Sequence, residues 1–166
     1  MNAISPIAVP DDVPPLPKPA SGQTGHVFRS RLIDKLAAVE TWAVGRLRAA
    51  DANKKLQPTL GLRLGAVRKL TETHPHLFRK ASTVAQLFDE LRPFQDLRSS
   101  LAHATLTEAV TSDGTVICAF ERADSDGLRP WLDRIVLREA EFRRILGRVS
   151  DLAHKLEQQV VRTAEP

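Results

Sequence analysis

Apolar residues recur along most of this chain at steps of three and four. From Thr24 the series Phe28, Leu32, Leu36, Val39, Ala43 and Leu47 forms one stripe, with Arg29, Arg31, Lys35, Arg46 and Arg48 off it. That period predicts a long amphipathic helix. Asn53-Lys54-Lys55 breaks it, and a shorter helix follows around Leu60, Leu64, Val67 and Leu70, ending near His74-Pro75. A third helix is marked by Thr83 and Gln86, spaced as a capping box. Behind them Val84, Leu87, Phe88, Leu91, Phe94, Leu97 and Leu101 lie close to a heptad seam. Pro93 falls inside this run and predicts a kink rather than an end, because the periodicity resumes beyond it. A last stripe, Phe142, Ile145, Val149, Leu152, Leu156 and Val160, predicts a helix from about Arg138 to Val161.

Between the third and fourth stripes the period falls to two. Residues 107–111 and 115–121 flank Ser112-Asp113-Gly114, and Val116, Cys118 and Phe120 alternate, the pattern of a β-hairpin around an Asp-Gly turn. Asp124-Ser125-Asp126-Gly127 reads as a second turn, too short to be a calcium loop. The first 22 residues hold Pro6, Pro10, Pro14, Pro15, Pro17 and Pro19, which predicts a disordered, extended tail ahead of one domain over 23–166. This tail lacks the basic start and continuous apolar stretch of a secretory signal. The expected fold is all-α: a four-helix up-and-down bundle with a small β-hairpin between the third and fourth helices.

Composition narrows the function classes. A single cysteine, Cys118, makes neither an internal disulfide nor a zinc cluster, so a cytoplasmic, reducing setting is expected. Six Phe, two Trp and no Tyr argue against a sheet of base-stacking platforms. No apolar run approaches the roughly 18–20 residues of a membrane span, so no membrane partner is expected. No phosphate-cradling glycine loop and no G-x-S-x-G elbow occurs. The net charge of +4 conceals an uneven distribution. Residues 29–80 carry twelve Lys and Arg against four Asp and Glu, whereas 81–128 carry three against eight. A surface that guides a polyanion is therefore expected from the first two helices, assisted by the last.

Five histidines are candidates for proton transfer near neutral pH. Three of them follow an arginine at a spacing of five or six: Arg68/His74, Arg98/His103 and Arg148/His154. Arg148 and His154 lie within one helix on well-separated faces, and Arg68 and His74 straddle a helix end before Pro75. Arg98/His103 closes the third helix, behind an apolar seam, with Ala102 and Ala104 around the histidine. In ideal helix geometry its five-residue step is about 140° of rotation, which a long arginine at a helix end can bridge.

In this placement, Arg98-Ser99-Ser100-Leu101-Ala102-His103 resembles the motif of the HEPN superfamily, and the order of elements from about Thr24 to Val161 is similar to that family's helical domain. Many members carry Asn, Asp or His after the arginine, where this chain has Ser99. The resemblance implies a metal-independent endoribonuclease without a cofactor, with His103 as acid/base, Arg98 as phosphate anchor, and two motifs meeting in the cleft of a homodimer. It also implies a toxin–antitoxin or antiphage setting, with an antitoxin or regulatory protein as partner. The residue types suit that chemistry. An imidazole exchanges the proton of the 2′-hydroxyl or of the leaving oxygen, a guanidinium holds phosphate oxygens, and Ser99 and Ser100 either add hydrogen bonds to the phosphate or simply face solvent. The structural alternative has Arg98 paired with Asp89 or Asp96 and His103 capping the helix.

Two rival readings remain open. Glu72-Thr73-His74-Pro75-His76 could hold a metal if all three ligands pointed one way, although a polar loop after a helix explains the same residues and no further ligand lies close in sequence. The chain is also similar in length and patterning to helical regulators of the mannitol-operon repressor type, which implies a catalytically silent scaffold acting through protein contacts. Sequence-specific DNA binding is disfavoured, because some ten residues separate the second and third helices where a helix-turn-helix needs a short turn.

Overall fold

A computed structural model describes residues 18–19, 23–53, 55–122 and 133–161. Among these the order is β1 (Lys18–Pro19), α1 (Thr24–Ala50), α2 (Leu60–Thr73), a 3₁₀ turn (Pro75–Leu77), α3 (Ala81–Ala102), β2 (Thr105–Val110), β3 (Val116–Arg122), β4 (Asp133–Arg138) and α4 (Glu139–Glu157). These described residues are mostly helical. The stripe of the first helix is its buried face residue for residue, from Phe28 to Leu47, with Gly25 added. Thr59 starts α2 by accepting the Leu62 amide at 3.4 Å on its hydroxyl. α3 runs through Pro93 without ending. It begins at Ala81 after Lys80, with no side-chain cap, so the Thr83/Gln86 capping box does not form. α4 stops at Glu157, short of the expected Val161, and Val160 instead bridges Phe78.

The all-α expectation is corrected by an antiparallel sheet of order β1-β2-β3-β4. The hairpin stands where the alternation put it. Val110 pairs with Val116, and Gly114, at φ +82°, takes the left-handed position of a three-residue loop. Thr111 and Thr115 close that loop, and Asp113 is held below the usual carboxylate range, first by the Thr111 hydroxyl. β4 was not foreseen: six residues ahead of the last helical stripe extend the sheet and pair Glu121 with Arg134. Within the tail expected to be disordered, Lys18 and Pro19 pair with Val110 and Ala109. Proline is tolerated there because the strand is an edge. The remainder of the tail and the turn at 124–127 lie outside the described residues.

The inner face of the sheet, with Cys118 and Phe120 fully buried, packs on a core shared by all four helices. The directions of those helices correct the up-and-down order. Phe28 stacks on Phe142 with centroids 4.2 Å apart, and Lys35 donates to the Ser150 hydroxyl, so α1 and α4 run the same way. Arg29 reaches Ala104 just beyond α3, and Trp42 meets the Phe88 ring edge-on at 5.9 Å, so α1 runs against α3. In an up-and-down bundle the first and third helices are parallel. The 51–59 connection explains the difference. Nine residues span up to about 30 Å, more than the ~21 Å length of α2, so the second helix need not fold straight back. The sheet likewise replaces a tight turn between α3 and α4.

Candidate functional site

The α3 helix places the four residues of the candidate motif on different sides. Arg98 comes seven residues after Leu91 and three before Leu101, both fully buried, so it continues the apolar line of the helix and is half-buried itself. Ser100 is half-buried and Ser99 exposed. His103 is the residue that closes α3, with φ −112° and ψ 5°, and its ring is exposed. It shares the outward side with Ser99, four residues earlier, rather than with Arg98. No hydrogen bond joins Arg98 to His103, and among the described residues neither side chain has a hydrogen-bond or ion-pair partner.

The structural alternative for Arg98 fails on its acids. Asp89 is bound to Arg68 of α2, and no salt bridge links Asp96 to Arg98. Glu90 is likewise taken by Arg148 of α4. Asp89 and Glu90 are thus answered from the neighbouring helices, and among the described residues the guanidinium of Arg98 has no carboxylate partner. For His103 the alternative is correct in position, since it does cap the helix.

One residue near this site was missed. Arg29 was placed with the polar residues off the first stripe, but it is half-buried between α1 and the sheet. Its Nη1 donates to the Ala104 carbonyl at 3.1 Å, and its Cζ lies 5.7 Å from the centroid of the Phe120 ring. Its Nε is buried without an acceptor among the described residues. Nothing local could have signalled this, because Arg29 and Ala104 are 75 positions apart. Close by, Glu108 of β2 accepts the Gly25 amide at 2.6 Å, a carboxylate cap supplied to α1 from another element. Cys118 lies beneath the same first turn, and burial, with the Glu108 and Glu139 charges adding to it, pushes its thiol up to about 11. The thiol is therefore protonated and inert at neutral pH.

The rival metal site does not assemble. The His74 and His76 rings are 5.8 Å apart, and among the described residues no three His, Cys, Asp or Glu side chains are grouped to hold a metal ion. Between α1 and α4, Arg31, Arg143 and Glu139 line a depression of about 380 Å³ over Val27, Phe142 and Leu146, with Arg143 paired to Glu139 at 2.8 Å. No described helix is long and apolar enough to cross a membrane. Comparison with family models, curated proteins and solved structures finds no match to this chain.

Proposed function

We propose that this protein is a metal-independent endoribonuclease of the HEPN type, a helical-bundle domain acting in the cytoplasm on RNA as a homodimer. Arg98 is the observation that carries the reading. A half-buried guanidinium on an apolar helix line, with no carboxylate partner among the described residues, is costly unless an anion arrives to pair with it. Phosphate fits that role, because the forked donors of arginine match its oxygens. His103, exposed at the end of the same helix, is free to take the 2′-hydroxyl proton or to return one to the 5′-oxygen. Ser99 and Ser100 supply hydrogen bonds to the same phosphate. Arg98 and His103 lie about 140° apart on one helix, so a second copy of the motif across a two-fold axis completes the constellation. An antitoxin or other regulatory protein would control such an activity.

The test compares wild type with His103→Ala on tRNA or total RNA in the presence of EDTA. Cleavage by wild type alone is expected; no cleavage, or equal cleavage by both, refutes the enzymatic reading. A second reading, a silent regulator acting through protein contacts, is favoured by one observation: the His103 imidazole has no orienting hydrogen bond among the described residues. It predicts inert RNA together with retained partner binding.

A further inference from the structure

We propose that Arg29 is a positioning residue for His103, holding the end of α3 so that the imidazole presents itself in one place; this rests on the reading of His103 as the proton-transfer group. Two facts about the junction motivate it. The backbone just past His103 is tied locally by the Ala104 amide, which donates to the Leu101 carbonyl at a long 3.3 Å. The ring of His103 has no hydrogen-bond partner among the described residues to fix it from the other end. Arg29 supplies the missing restraint from 75 residues away through its hydrogen bond to the Ala104 carbonyl.

Arg29 is itself tightly held. Its guanidinium lies over Phe120, which is fully buried, and its stem leaves a helix whose neighbouring Phe28 is packed between Phe120 and Phe142. Burying Nε without an acceptor is unfavourable, and a shorter apolar residue would cover Phe120 without that penalty. What the guanidinium adds over such a residue is a donor aimed at the α3–β2 junction and a positive charge at the helix C-terminus. The Glu108 contact with Gly25 secures the next stretch of chain to α1 one turn before Arg29. The junction that carries His103 is thereby fastened at two points to one helix. Proton transfer depends on such fastening, because a displacement of about 1 Å at a catalytic group can cost on the order of 100-fold in rate.

The experiment uses the full chain with Arg29→Met, which keeps the stem over Phe120 and removes the donors, and Arg29→Lys, which restores one. Both are assayed on RNA with EDTA at a temperature where circular dichroism shows them folded. The ¹⁵N relaxation of His103, Ala104 and Thr105 is measured alongside. Arg29→Met is expected to lower kcat roughly 10- to 100-fold at unchanged KM, to raise fast motion at those three amides, and to be largely rescued by Arg29→Lys. Unchanged relaxation at the three amides, or a loss in Arg29→Lys as deep as in Arg29→Met, overturns the proposal. If wild type cleaves no RNA, the ribonuclease reading fails by itself, and the relaxation measurement alone decides whether Arg29 positions the junction.

Discussion

Replacing Arg98 by leucine separates a functional arginine from a structural one by the sign of its effect on stability. The residue sits on the line of Leu91 and Leu101 and is half-buried, with Asp89 already engaged by Arg68. Full burial of a leucine side chain is worth about 1.5–3 kcal/mol, and a half-buried site roughly half of that. The aliphatic stem of arginine already covers some of this surface, which reduces the gain. Removing an unpaired, partly desolvated cation acts in the same direction as the new apolar contact. The net expectation for Arg98→Leu is a stabilisation of about 1 kcal/mol, or roughly 2–4 °C in Tm for a chain of this length. RNA cleavage by the same variant should be lost. Urea denaturation at pH 7, read by circular dichroism, measures the first effect, and the EDTA-resistant RNA assay the second. Were Arg98 instead half of a partly buried ion pair, its removal would leave a carboxylate uncompensated and cost several kcal/mol. A destabilisation above about 1 kcal/mol therefore refutes the unpaired-cation reasoning.

The remaining expectations concern the first turn of α1, the helix glycines and the buried thiol. Glu108→Ala should destabilise the fold by about 1–2 kcal/mol, since α1 has neither a side-chain cap of its own nor an acid in its first turn. Glu108→Gln should lose less, and thermal melts showing it to be more stable than wild type would mean that burying the charge outweighs the cap. Gly45 and Gly147 are helical, and a Cβ at either meets nothing within 4 Å. Alanine at each should stabilise by about 0.5–1 kcal/mol in chemical denaturation. Gly25→Ala should destabilise by about 1–3 kcal/mol, because its Cβ would fall 2.9 Å from Cys118 Sγ and from Leu106. The Cys118 thiol keeps its proton to about 11 when folded, against 9.0 in its ordinary state, so the unfolded chain releases that proton first as pH rises. Stability should fall by roughly 2–3 kcal/mol between pH 9 and 11. Cys118→Ala should flatten that slope, and equal slopes in the two proteins would contradict the assignment.

Local periodicity determined a good deal here by itself. The buried face of α1, the apolar line of α3 through Pro93, the hairpin with Gly114 in its turn and most of the α4 stripe follow from side-chain spacing alone, because each depends on neighbours within one or two turns. Tertiary structure decided what depends on residues far apart. β4 gained its place by pairing with β3, and six residues of ordinary composition carry too little local signal to be told from the approach to a helix. Helix directions depended on the length of the 51–59 connection and on the sheet before α4, which no stripe encodes. The acidic third helix looked capable of neutralising Arg98 from within, but Arg68 reaches across from α2 to take Asp89, and Asp96 makes no ion pair with Arg98. Arg29 was one more polar residue off a stripe until the fold set it against Phe120 and Ala104. Charge pairing and burial are properties of contacts between elements, and sequence spacing specifies only the elements themselves.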